Sequence, residues 1–458
     1  MRTRGSRIGG FIVGLMSVAT LWVGGGVQHP ARAVTPPRPR NVILMIGDGM
    51  GPQQVDLARR LAPGRVLAMD RLDSAPGQMT TDDVYGGVTD SAASATAMAT
   101  GRKTINGAMS VDAAGQPLET VWDRAETHGK ATGIVSSVFL IDATPGVWAA
   151  HTADRYNYAD IATQQALGLG TWEGRLDGVE VLLGAGAAYY KPQGANGTGG
   201  LNLIDALIDR GYEYVRKAAD LNRAAAPADR LLGFFGGTAM TYVLDRPLKK
   251  GLTEPTLAEM TAKAIEIVSR DPEGFFLVVE GGAIDWTAHK ADVAGTLHEV
   301  IAFDEAIAVA SRFAADNGET LLIVTADHET GGLELGPNPN LPFIAGVRAT
   351  VDVIWRAIEG GATIDTAMQA YAGIGGAWPA LTAQERESIR SCGDPLGVAD
   401  VLNARAGVAW GWSGCEGAHH TGTKVPVFAT GPGAEQFDGS DLDNTDIGNL
   451  LFVAVSPD

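Results

Sequence analysis

Positive charge is in short supply in this chain: 35 lysines and arginines stand against 53 aspartates and glutamates. An acidic surface argues against nucleic acid as a partner. It also means that any site for an anion would need strong local positive charge. Cysteine is scarcer still, with only Cys392 and Cys415. Beyond the first 33 residues no apolar run approaches the ~20 residues of a bilayer span. No linker and no repeat interrupts the remainder, and the G-x-S-x-G setting of many serine nucleophiles is missing.

What is present at the N-terminus is a leader pattern. Arginines precede an apolar run from about Phe11 to Val23, and Ala31-Arg32-Ala33 follows before a Pro-rich segment. This reads as a signal peptide over residues 1–33. No cysteine follows the run, which leaves no lipid attachment site, and no stable membrane anchor is expected. Losing four arginines with the leader takes the formal charge from −18 to −22. The expected location is the periplasm or the medium, where the two cysteines are expected to form one disulfide rather than remain reactive.

Short apolar runs alternate with helical patterns after the leader. NVILMI (41–46), TGIVS (132–136), VEVLLG (179–184), FFLVVE (275–280), TLLIVT (320–325) and VPVFAT (425–430) suit strands buried on both faces of a parallel sheet. Thr256 and Glu259 form a capping box at the start of one intervening helix. The pattern predicts an α/β three-layer sandwich, a mostly parallel central sheet between helices. One domain is expected over 34–458. The Gly-, Pro- and Trp-rich stretch 336–416, with a capping box at Thr382 and Glu385, reads as a crown-like insertion clipped by the disulfide.

In such folds functional groups gather where strands end. Here the strong strands run into residues that ligate metals: Asp48 in GDGMG, Glu280 followed by Asp285 and His289, Asp327-His328, and His419-His420 just before VPVFAT. Asp142 and Thr144 follow another strand. Taken singly each has a plain structural reading. GDGMG lacks the third glycine of a dinucleotide loop, Pro52 standing in its place, and Asp48 would repel a pyrophosphate. Asp285 and His289, four apart, would share a helix face, as surface pairs do. Taken together, three histidines and several carboxylates suit zinc, while Asp48, Thr144 and Glu280 offer only oxygen, which suits magnesium. A metal cluster would also explain "VTDSAASATAMATG" (88–101). It would lower the pKa of the Ser91 hydroxyl without a histidine base. The small residues after Ser91 would allow a close-packed helix with its N-terminus toward an anion.

These motifs, together with "VTDSAASATAMATGRKTINGAMSVD", "DATPGVWAAHTADR", "VVEGGAIDWTAH", "VTADHETGG" and "HHTG", resemble those of the alkaline phosphatase family in their order along the chain, over residues 41–430. The resemblance implies phosphomonoester hydrolysis through a phosphoserine at Ser91, with two zinc ions and one magnesium ion per chain. Asp285, His289 and His420 would hold the first zinc. Asp48, Asp327 and His328, with Ser91, would hold the second. Asp48, Thr144 and Glu280 would hold magnesium. Arg155 would grip two phosphoryl oxygens, oriented by Asp90. The sequence departs from some members at Asp142, at Trp286 and at His419, positions outside the nucleophile and the zinc ligands. Trp286 either faces the phosphate pocket or packs over the ligands. The resemblance suggests a homodimer acting on small phosphomonoesters, with nucleic acid involved only through terminal phosphates. The competing readings are a phosphodiesterase or sulfatase of the same metal-hydrolase superfamily, and an exported metal- or phosphate-binding protein without turnover.

Overall fold

The computed structural model describes residues 38–62, 64, 66–168, 178–192, 200–224, 229–412 and 415–456. The expected signal peptide, 1–33, lies outside the described residues.

The apolar runs do become the sheet. Its strands are β1 (Asn41–Ile46), β2 (Gly77–Thr80), β3 (Ala131–Phe139), β4 (Val181–Ala185), β5 (Glu213–Val215), β6 (Leu231–Phe234), β7 (Phe275–Glu280), β8 (Thr320–Thr325), β13 (Val425–Thr430) and β14 (Asp441–Asp443). Two short antiparallel ribbons complete the strand set: β9 (Glu329–Thr330) with β12 (His420–Thr421), and β10 (Glu334–Leu335) with β11 (Val408–Ala409). The sheet order is β14-β2-β13-β8-β1-β7-β3-β4-β6-β5. Every residue of β1, β7 and β8 is buried, as expected for central parallel strands covered on both faces. All pairings in the sheet are parallel except those of β13, which runs against both β8 and β2.

Helices cover the two faces. Leu257–Val268 and Val293–Asn317 pack on each other, and the first lies over β3, β4 and β7. Ser91–Thr100 and Val121–Thr127 pack against Asn444–Val455, and the Val121–Thr127 helix presses on β3 and β7 from the opposite face. The Leu257–Val268 helix opens with the expected capping box, Thr256 accepting from the Glu259 amide while the Glu259 carboxylate receives the Thr256 amide.

Register decides where the chemistry goes. Ile46 pairs with Glu280 on one side and with Thr325 on the other, and Ser136 pairs with Glu280. The carboxyl ends of β3, β7, β1 and β8 are therefore level. Asp48 and Asp327 each stand two residues beyond a paired strand end, so both arrive beside Glu280. Gly49 makes the turn out of β1 at φ +70, a conformation that L side chains rarely adopt. A Cβ there would lie 2.8 Å from Thr330 Oγ1 and 2.9 Å from Asp285 Oδ1.

The 336–416 stretch is helical: Leu341–Gly346, Val351–Glu359, Ile364–Ala372, Ala383–Cys392 and Pro395–Ala406. The β10–β11 ribbon stands where the chain leaves for this stretch and where it returns. Thr382 and Glu385 form their capping box, and Cys392 is bonded to Cys415. Closing a loop of 23 residues stabilises the native state by roughly 3 kcal/mol in the chain-entropy treatment. Alkylation of the denatured, unreduced protein should label neither cysteine. Reduction should expose both and lower the melting temperature. Two labelled thiols before reduction would refute the bond.

Candidate active site

Ser91 is the first residue of the helix Ser91–Thr100, all ten residues of which are buried. Alanine, serine and threonine let its backbone approach its neighbours closely. Asp90 caps it, Oδ1 accepting from the Ala93 amide at 2.9 Å. The second oxygen of Asp90 accepts from Arg155 Nη1 at 3.0 Å and from the Gly107 amide at 3.0 Å. Asp142 takes the other arm of the guanidinium, Nη2 to Oδ1 at 3.2 Å, and caps the short helix Ala143–Gly146. Burial opposes the charge of Arg155, yet Asp142 and Asp90 outweigh it and push its pKa up. The guanidinium is thus a fixed cation in an acidic protein. Burial in turn raises the pKa of Asp142, with Arg155 working against it.

Two groups of ligand atoms converge beside Ser91. In the first, His289 Nε2 lies 3.1 Å from His420 Nε2 and 3.4 Å from Asp285 Oδ1, and His420 Nε2 lies 3.7 Å from that oxygen. In the second, His328 Nε2 lies 3.0 Å from Ser91 Oγ, 3.2 Å from Asp327 Oδ2 and 3.6 Å from Asp48 Oδ1. Four ligands at zinc–nitrogen bond lengths form a tetrahedron with edges of about 3.3 Å. Both groups bracket that edge.

The imidazoles are aimed. His289 Nδ1 faces the Ala418 carbonyl at 2.5 Å, and His420 Nδ1 faces the Thr89 carbonyl at 2.9 Å. A carbonyl only accepts, so each Nδ1 carries a proton and each ring turns its Nε2 toward the other. Carbonyls that hold the Nδ1 protons in this way aim both Nε2 atoms at one place, as around a metal ion. Beyond them lie the carboxylates. Asp48 Oδ1 and Glu280 Oε1 are buried with no hydrogen-bond donor. Glu280 Oε2 accepts from Ser136 Oγ. Thr144 Oγ1 donates to Asp48 Oδ2 at 3.1 Å and stands 3.4 Å from Asp327 Oδ2. Burial, and after it the negative charge of the neighbouring carboxylates, pushes the pKa of Asp48 and Glu280 well up, and that of Asp327 to about 7. Burial, and then the charges of His420, His289 and Arg155, drives His328 well down, so it is a neutral ligand. Converging oxygens and imidazole nitrogens, with carboxylates crowded together, fit divalent cations.

The candidate site residues read from the sequence gather here, with the side chain of Trp286 turned away. A cavity of about 540 Å³ is lined by Ser91, Asp90, Arg155, His289, His420 and Tyr156, among others. His419 is on its rim, its ring edge-on to Trp412 at 5.3 Å. Trp286 instead packs on Phe139, ring centroids 5.7 Å apart, and lines another cavity with Met240, Tyr242 and Asp352. That placement favours the packing alternative for Trp286. Sequence reasoning missed Ser136, Thr330, and the pairing of Asp142 with Arg155. Thr330 Oγ1 donates to Asp285 Oδ1 at 2.5 Å and stands 3.2 Å from His328 Nδ1.

A sequence profile of the family described as alkaline phosphatase matches residues 39–456. Alkaline phosphatase 4 of Bacillus subtilis is 33% identical over 436 residues, covering 90% of this chain and 88% of its own. Streptomycin-6-phosphate phosphatase of Streptomyces griseus is 34% identical, covering 91% and 90%. The crystal structure of Thermus thermophilus alkaline phosphatase superposes with a TM-score of 0.79 at 28% identity, covering 91% of each chain.

The crowded carboxylates make the metal-free protein sensitive to pH. The folded pKa of Asp327 is about 7 against an ordinary 3.8, and Asp48 and Glu280 are raised likewise. A raised carboxyl pKa means that the folded state holds protons which the unfolded state has released. These three carboxyls therefore make stability fall as pH rises from about 4 through 7, and they outnumber the depressed His328 and His420, whose effect has the opposite sign. The melting temperature of chelator-treated protein should drop across that window. Zinc with magnesium should abolish the drop, since a ligand at a thousand times its Kd adds about 4 kcal/mol to the native state. A flat or rising curve without metal would contradict this account of the site.

Proposed function

The chain belongs to the alkaline phosphatase family and is a phosphomonoesterase, and we propose that it works through covalent phosphorylation of Ser91 at a site for two zinc ions and one magnesium ion. The observation that carries this reading is the position of Ser91 Oγ. It stands at a helix N-terminus, 3.0 Å from His328 Nε2, in a cavity shared with Arg155, His289 and His420.

In this reading Asp285, His289 and His420 hold one zinc, and Asp48, Asp327 and His328 hold the other beside Ser91. Asp48, Thr144 and Glu280 hold magnesium, their donors being oxygen only. Bound ions would supply the positive charge that lowers the pKa of the attacking hydroxyl and offsets charge on the departing oxygen. The chain's own groups do the rest. Arg155, fixed on both arms by Asp90 and Asp142, presents its remaining N–H groups to two non-bridging phosphoryl oxygens. Free amides at the first turn of Ser91–Thr100 face the same anion, and the helix dipole favours it. Ser91 Oγ forms a bond to phosphorus as the bond to the alcohol oxygen breaks. Water then attacks the phosphoserine, freeing Ser91 and inorganic phosphate.

The leader pattern and the disulfide support an exported enzyme. Streptomycin-6-phosphate phosphatase is among the relatives, so the leaving alcohol varies within this likeness.

Acid-quenched enzyme mixed with a nitrophenyl phosphate should carry phosphate on Ser91 by mass spectrometry. Ser91→Ala should lose nearly all turnover while keeping its fold and metals. The corresponding diester and sulfate should be poor substrates. Phosphate on another residue, or wild-type rates in Ser91→Ala, would overturn the assignment. Arg155→Lys replaces a two-pronged donor by a point charge. Losing one charged hydrogen bond of about 1.5–3 kcal/mol should lower kcat/KM by roughly 10- to 150-fold.

A further inference from the structure

Thr330 is fully buried and is no part of either ligand set, yet it touches elements that carry ligands from both. Its amide donates to the Gly49 carbonyl at 3.1 Å, next to Asp48. Its carbonyl accepts from Gln54 Nε2 at 2.8 Å. In the β9–β12 ribbon it is the cross-strand partner of His420. Its hydroxyl joins Asp285 Oδ1, at 2.5 Å, to His328 Nδ1, at 3.2 Å.

We infer that the Thr330 hydroxyl is a positioning group that couples the two zinc half-sites and fixes the tautomer of His328. A hydroxyl has one proton. The Asp285 carboxylate has none to give, so the Thr330 proton lies on the short line to Asp285 Oδ1. The hydroxyl oxygen is then left to accept, and the group at 3.2 Å that can donate to it is His328 Nδ1–H. The His328 proton is thereby held on Nδ1, and the lone pair of Nε2 is directed at the place where Ser91 Oγ, Asp327 Oδ2 and Asp48 Oδ1 converge. The same hydroxyl holds Asp285 Oδ1 toward His289 and His420. One proton position therefore serves both half-sites: a ligand on His328 Nε2 strengthens the donation from Nδ1, and with it the donation from the Thr330 hydroxyl to Asp285. The sequence gives no hint of this, because a threonine two residues past a histidine in a strand is ordinary.

The inference rests on the zinc assignments proposed above, and the test separates the two. Thr330→Val keeps the shape and every backbone link while removing the hydroxyl; Thr330→Ser restores the hydroxyl without the methyl. Each metal-loaded enzyme is titrated with a zinc chelator of known affinity, and the zinc retained is counted at every step. Metal ligands that lose such a supporting partner typically lose about 10- to 100-fold in affinity. Thr330→Val should weaken both zinc ions by that order and Thr330→Ser should hold them as the wild type does. Circular dichroism checks that each variant is folded, and Thr330→Ala serves if the valine is not accommodated. Wild-type retention in Thr330→Val, weakening of one zinc alone, or equal weakening in Thr330→Ser would overturn the coupling. A wild-type enzyme that holds no zinc would overturn the zinc assignment itself, and the coupling with it.

Discussion

Mutual repulsion among Asp48, Glu280 and Asp327, buried at the level ends of neighbouring parallel strands, is the constraint around which the molecule is arranged. Burying one ionised carboxylate costs several kcal/mol, and burying three together is tolerable only against positive charge or with protons taken up. The sheet could have avoided this by ending its strands in apolar residues. It ends them in acids, and surrounds the acids with imidazoles. The active site is thus a place where the fold holds charge that it cannot neutralise alone, which is a common mark of a functional site.

The cavity lined by Ser91 and Arg155 answers the opposite problem. An acidic protein that handles an anion has to screen its own field. Arg155 does so because two carboxylates hold it: Asp90 and Asp142 each take one arm, so the guanidinium is immobile as well as charged. Asp90 has a second duty at the cap of the helix that Ser91 opens. A single side chain therefore sets the distance between the arginine and Ser91. The alanine-rich helix can be buried whole because no side chain on it needs more room than a methyl group or a hydroxyl, Met98 excepted.

Much of this was legible in the sequence because burial on two faces leaves an unmistakable trace. β1, β7, β8 and β13 are read at their observed bounds, and an ionisable residue at the end of an apolar run marks the site edge of the sheet. Trace fails where periodicity fails. β2, β5, β6 and β14 are short, and their residues carry no pattern that separates them from loop. The reversed direction of β13 is invisible, since a buried antiparallel strand between other strands is as apolar as a parallel one. Ser136 and Thr330 act through a single hydroxyl each, and the carbonyls of Thr89 and Ala418, which aim two histidines, have no residue signature at all. The side chain of Trp286 turns away from its neighbour Asp285 to stack on Phe139, a partner that only tertiary structure supplies.

The place of β13 in the sheet has a bearing on biogenesis. It lies between β8 and β2, with Val425 against Met79 and Phe428 against Val324. Residues near the end of the chain are therefore interleaved among those made long before, and His420 joins the other ligands by way of the ribbon just ahead of β13. A ribosome that has reached only the end of β8 has produced a sheet with an open seam, and Asp285 and His289 without His420. Until residue 420 emerges, the group Asp285, His289 and His420 is incomplete, however far the rest of the sheet has folded. Topology alone thus sets the order in which this cluster is completed, and its last member arrives when translation is nearly over.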